Sequence, residues 1–117
     1  MRVEGGIREG RALKHAYYLY GSTSLDGRTL RESLEAALEV HFERRNSDYR
    51  GGEYFRFQGV EGLLTIEANY TDEDGCPVEE SFSDHGTLLY ASDPSSSVVP
   101  VLNELSGLDL LRIDESE

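Results

Sequence analysis

The sequence has almost none of the residues that build covalent frameworks or thiolate metal sites. Its single cysteine, Cys76, cannot form an intramolecular disulfide and has no second thiol in a CxxC spacing. Nothing in this cysteine usage indicates an oxidising compartment, so a reducing one is the default expectation. A catalytic thiolate needs a neighbouring base, and the candidate near Cys76 in space is His85, so we do not expect a catalytic thiol.

Long apolar runs are also missing. No stretch approaches the ~20 apolar residues that a membrane-spanning helix needs. The N-terminal MRVEGGIREGRALKH lacks the apolar centre of a signal peptide. We therefore expect a cytoplasmic protein that does not associate with membranes. At 117 residues it should fold as one domain over 13–114, with a flexible tail at 1–12 and an acidic tail at 115–117.

Lysine is nearly absent, and the charges are divided unequally along the chain. Residues 1–60 carry ten Lys and Arg against nine Asp and Glu, whereas residues 61–117 carry Arg112 alone against fourteen acids. Such a field repels nucleic acid and suits a basic protein partner or simple solubility. A salt-adapted proteome also combines few lysines with many acids, but it does not predict that the acids crowd into one half.

Hydrophobic periodicity predicts an α+β fold. Alternating segments predict strands, and helical spacing with capping residues predicts two helices. The strands are expected at 13–20, 53–58, 63–70, 78–82, 87–91 and 108–113, with helices at 29–44 and from Val98 to about Gly107. The order β-α-β-β-β-β-α-β indicates a mainly antiparallel sheet of about six strands with both helices on one face.

The first helix has the clearest signal. Thr29 and Glu32 have the spacing of a capping box. An apolar stripe then follows, and it predicts that Leu34, Leu38 and Phe42 are buried on the sheet. The whole stripe consists of Leu30, Leu34, Ala37, Leu38, His41 and Phe42.

No motif announces catalysis, a metal or a cofactor. The histidines His15, His41 and His85 are far apart in sequence, and His41 is expected at the edge of the core. The glycine-containing loops do not match a phosphate-binding loop. We therefore predict a non-enzymatic protein without metal or cofactor. The alternative is a small-molecule-binding domain or small enzyme with a pocket between the sheet and the helices.

Two surface groups are candidates for binding a partner. The first is acidic and lies around a predicted hairpin: Asp72, Glu73, Asp74, Glu79, Glu80 and Asp84. Its spacing does not match an EF-hand loop, so a docking surface or a solvated turn remains. The second group combines residue types common at interface hot spots: Tyr49, Arg50 and Tyr54.

Several short segments resemble bacterial polymorphic-toxin and contact-dependent inhibition immunity proteins. They are Leu19-Tyr20-Gly21-Ser22, the run from Phe42 to Phe55, Leu88-Leu89-Tyr90 and Leu110-Leu111-Arg112. The resemblance implies a non-catalytic protein that neutralises a cognate toxin, often a nuclease. A basic nuclease groove would suit an acidic inhibitor. Self-association as a homodimer is a further alternative.

Overall fold

The chain forms one antiparallel sheet with two helices, in the predicted order. The computed structural model describes residues 15–47, 52–69 and 78–116. The predicted tail at 1–12 lies outside them. The helices and strands are β1 (His15–Ser22), α1 (Gly27–Leu38), β2 (Glu43–Ser47), β3 (Gly52–Gly59), β4 (Gly62–Ala68), β5 (Thr87–Ser92), α2 (Val98–Glu104) and β6 (Asp109–Ser116). The α+β class and the order β-α-β-β-β-β-α-β are thereby confirmed.

The sheet has the spatial order β2-β3-β4-β5-β1-β6. Strands β2 to β5 form a meander of consecutive antiparallel neighbours. Strand β1 then lies between β5 and β6, and it pairs antiparallel with both. Strand β2 and strand β6 are therefore the two edges of the sheet.

Both helices pack on the same side of the sheet. Tyr20, Leu89 and Ile66 are paired in one row across β1, β5 and β4, so their side chains share a face. That face is buried together with Leu30 and Leu34 of α1. Val98 and Leu102 of α2 belong to the same core. The opposite side, called here the open face, carries no helix from α1 or α2.

Helix α1 is shorter than the apolar stripe predicted. It begins at Gly27 because Asp26 is the N-cap and accepts a hydrogen bond from the Thr29 amide at 2.8 Å. The predicted Thr29 cap is therefore wrong. The helix ends at Leu38, where Glu39 takes the left-handed conformation with φ 57°. Phe42 is buried as predicted but lies beyond the helix, packed 6.0 Å from the Phe57 ring.

A strand that the sequence did not predict follows this helix. Glu43 to Ser47 form β2, where a helix end and a loop were expected. The segment has no apolar alternation because it is an edge strand with exposed side chains. The helix predicted through residue 44 is therefore wrong, and a strand precedes the one predicted at 53–58.

The predicted strand at 78–82 is also wrong. Glu80–Phe82 form a short 3₁₀ helix inside the connection between β4 and β5. At the other end of the chain, β6 continues to Ser116, so the sheet includes residues that we predicted as an acidic tail.

Neither described helix is long and apolar enough to cross a membrane.

Candidate functional site

Glu79 to His85, in the described end of the connection between β4 and β5, are held against the open face first by one amide side chain. The Nδ2 of Asn69 donates to the carbonyls of Phe82 and His85, both at 3.1 Å, and lies 3.4 Å from the carbonyl of Glu79. The Oδ1 of Asn69 accepts from the amide of Glu79 at 2.9 Å. This single residue therefore satisfies several backbone groups of an irregular segment, which fixes its shape.

Glu79 adds a second anchor for the same segment. Its carboxylate accepts from the Tyr90 hydroxyl at 2.7 Å and from Nη1 of Arg112 at 3.3 Å. Burial, and then the bond to Glu79, raises the pKa of Tyr90 above its ordinary value. The Glu79 side chain is only 16% exposed. Its charge is compensated inside the protein and is poorly placed to meet a partner.

Four other carboxylates lie on this segment or on the strand β6 that bonds to it. We call Glu80, Asp84, Asp109 and Asp114 the acidic corner. Asp109 lies 3.1 Å from Nε2 of His85, and Asp114 accepts from Nε of Arg112 at 3.0 Å. Glu80 and Asp84 are exposed and form no ion pair with any residue in the described ranges.

His85 packs the segment onto the sheet. Its ring lies edge-on to Phe82, with the centroids 6.2 Å apart. A Cβ placed on Gly21 would come within 3.0 Å of the Cβ of His85 and 2.8 Å of a Leu111 methyl. The glycine in β1 therefore allows the segment to approach closely. The Nδ1 of His85 is buried without a hydrogen-bond partner among the described atoms.

Three arginines at the opposite end of the sheet are paired with glutamates. Arg28 of α1 and Arg44 of β2 both donate to the carboxylate of Glu53. Arg45 donates to Glu43 at 2.7 Å. These bonds lower the pKa of Glu53 and of Glu43 below their ordinary values. These groups are three arginines and two glutamates, so they carry no excess of negative charge, in contrast to the acidic corner.

The structure brings together only part of the predicted binding set. Glu79, Glu80 and Asp84 lie together in the connecting segment, whereas Tyr54 lies on β3 opposite Arg45. Four strand spacings separate β3 from β6, or about 19 Å. The predicted residues Asp72, Glu73, Asp74, Tyr49 and Arg50, and also Cys76, lie outside the described residues.

Two members of the acidic corner were not predicted from the sequence. Asp109 and Asp114 join the site because β6 pairs with β1 and contacts the segment through Arg112 and His85. Both contacts link residues distant in sequence. The only available signal was the excess of acids after residue 60.

One cleft that a small molecule could enter lies beside the start of α1. It has a volume of about 360 Å³ and is lined by residues that include Asp26, Arg28, Glu53 and Glu67. Arg28 already bonds to Glu53. The Asp26 carboxylate already caps α1, and its bond from the Thr29 amide lowers its pKa. Asp26, Arg28 and Glu53 are thus already engaged within the protein.

The histidines do not converge. His15 bonds to Asp93 at 2.9 Å where β1 begins, and His85 lies in the connecting segment. His41 is 90% exposed beyond the end of α1, so its predicted place at the core edge is wrong. No group of three or more His, Cys, Asp or Glu that could hold a metal ion occurs within the described part of the chain.

The chain matches no protein-family model, no curated protein and no solved structure. Its function must therefore be argued from the geometry and charge of its own residues.

Proposed function

We propose that this protein is a non-catalytic binding protein of the immunity type, which neutralises a basic partner such as a nuclease toxin domain through the acidic corner. One observation supports the proposal most directly. Arg28, Arg44 and Arg45 at the β2 end of the sheet are paired with glutamates. The acidic corner has Arg112 nearby, and two of its carboxylates form no ion pair with the residues that the structure describes.

A basic partner suits this arrangement for a physical reason. Nucleases carry basic grooves because their substrate is a chain of phosphates. Carboxylates that are not neutralised within their own protein can attract such a groove over a distance and speed the encounter. The acidic corner would thus act mainly on the association rate.

The scaffold of the corner favours tight docking as well. Asn69 fixes the connecting segment through its backbone, and Glu79 ties the same segment to Tyr90 and Arg112. Groups that are already held in place lose little conformational entropy on binding. The segment can therefore present Glu80 and Asp84 without first becoming ordered.

The test uses as the binding partner a basic toxin domain recovered in complex with this protein from its native host. Its association rate is measured with the unmodified protein and with the double variant Glu80→Lys, Asp84→Lys. The matched control is Glu32→Lys, Glu39→Lys, which makes the same change in net charge on α1 and just beyond it. We expect the corner variant to slow association about tenfold or more at low salt, with a smaller effect of the control.

Raising the salt concentration should bring the unmodified protein toward the corner variant, because the Debye length falls to about 8 Å at physiological ionic strength. Equal slowing by both double variants would mean that only total charge matters, and the corner would not be the docking surface. An association rate that neither variant changes would contradict the proposal. Thermal shifts measured with small metabolites would test the alternative cleft beside α1.

A further inference from the structure

We infer that the outer edge of β6 accepts an extended basic segment of the partner as a seventh strand of the sheet. The identity of the partner rests on the proposed function. The site itself rests on the edge strand, its exposed apolar side chains and the acids beside them.

The outer edge of β6 is open in the described part of the chain. Strand β6 has eight residues and pairs only with β1. In an antiparallel strand, every second residue directs its backbone N–H and C=O away from the neighbour, so the outer edge offers unpaired groups. The other edge, β2, has five residues, and Arg44 and Arg45 there are tied to glutamates.

Strand β6 also exposes apolar side chains that its own fold does not cover. Leu110 is 44% exposed and Ile113 is 47% exposed. Their partners in β1 are Tyr20 and Tyr18, so both side chains point to the helix-bearing side of the sheet. A strand added outside β6 would cover them with its own side chains, as cross-strand neighbours do within a sheet.

The other side of β6 is acidic. Asp109 and Asp114 are paired with Gly21 and Tyr17 of β1, so both point to the open face, where the acidic corner lies. An added strand would thus meet Leu110 and Ile113 on one side, and on the other two carboxylates with Arg112 between them, which itself bonds to Glu79 and Asp114. This pattern fits a segment in which apolar and basic residues alternate.

A second copy of this chain fits the edge less well. Each copy carries a net charge of −12, and β6 pairing would bring Asp109 and Asp114 of both copies together. The register of β6 against β1 shifts between Leu110 and Arg112, so the longer regularly paired part of β6 begins at Arg112. That part includes both Ile113 and Asp114.

The probe is a synthetic ten-residue peptide in which Lys and Val alternate. Its control is the same peptide with N-methyl groups on alternate residues, which keeps the charge but removes the donors for strand pairing. Amide exchange and NMR shifts should show new protection in β6 with the first peptide and much less with the second. Ile113→Lys should weaken binding about fivefold or more, as expected for an interface anchor. Val60→Lys adds the same charge at a residue that is 91% exposed between β3 and β4, so it should change binding little.

Equal binding of the two peptides would mean that charge alone attracts them, and strand addition would be wrong. Protection of β6 without peptide, together with a dimer in sedimentation, would identify a second copy as the occupant and overturn the inference. Failure of the peptide to protect β6, with toxin association still slowed by Glu80→Lys, Asp84→Lys, would overturn the edge site alone. If the peptide protects β6 but Glu80→Lys, Asp84→Lys does not slow toxin association, the edge site is supported and the acidic corner is not the docking surface.

Discussion

At the scale of single residues, Asn69 determines how the open face is covered. The segment from Glu79 to His85 has little regular structure, yet three of its carbonyls and one amide lie within hydrogen-bonding distance of this one side chain. A buried backbone group that loses its partner costs more than the average hydrogen bond contributes. The acidic corner therefore depends on a residue that would itself never touch a partner.

We predict that Asn69→Ala lowers the free energy of unfolding by about 2–3 kcal/mol, because several backbone groups lose their partner together. Urea unfolding measures the loss, and amide exchange should speed up between Glu79 and His85. The matched control is Asn46→Ala on the exposed edge strand β2, which should change stability by less than about 0.5 kcal/mol. An Asn69 variant as stable as this control would show that the other contacts alone hold the segment.

Single residues also explain two errors of the sequence interpretation. Asp26 and Thr29 are both good N-cap residues, and a capping-box spacing favoured Thr29. The structure uses Asp26, which places the first turn of α1 two residues before the predicted start. His41 continued the apolar stripe only on the assumption that the helix continued, and the left-handed Glu39 ends it first.

At the scale of elements, α1 is held by a narrower face than its sequence suggests. Leu34 is fully buried in the core, whereas Leu38 is only partly buried at its margin. The helix stops directly after Leu38, so the stripe does not continue across the sheet as one surface.

We predict that Leu34→Ala costs about 2–5 kcal/mol, the range for truncating a fully buried leucine. Leu38→Ala should cost clearly less, because less of its surface leaves water on folding. Chemical denaturation of both variants measures the difference. The comparison is valid when the slope of unfolding free energy against denaturant concentration is the same in both variants. Equal losses at the two positions would show that Leu38 supports the core as fully as Leu34 does.

The elements that could be predicted are those whose pattern comes from burial on one side. Strands β4 and β5 alternate or carry apolar runs, and α1 and α2 have helical spacing, so their existence follows from the sequence. Strand β2 has five polar or charged residues because an edge strand need not bury either face. The segment from Val78 to Phe82 alternates like a strand but is shaped by Asn69, a contact that no local pattern encodes.

At the scale of the whole molecule, the protein carries a large excess of negative charge that its arginines do not neutralise evenly. The formal net charge is −12, and a compact state with such an excess is destabilised by repulsion. The ion pairs near β2 are exposed on at least one side, and pairs of that kind contribute little to stability. Added salt should therefore weaken the repulsion among the carboxylates more than it weakens the attraction within the ion pairs.

We predict that adding NaCl at pH 7 raises the melting temperature, by about 4 °C for each kilocalorie per mole of repulsion relieved. The variant Glu80→Gln, Asp84→Asn should melt higher than the unmodified protein at low salt and respond less to NaCl. The matched variant Glu32→Gln, Glu43→Gln removes the same charge beside Arg31 and Arg45, so it should gain less. A melting temperature that falls with added NaCl would contradict the prediction. It would mean that attraction within the ion pairs contributes more to stability than repulsion among the excess carboxylates removes.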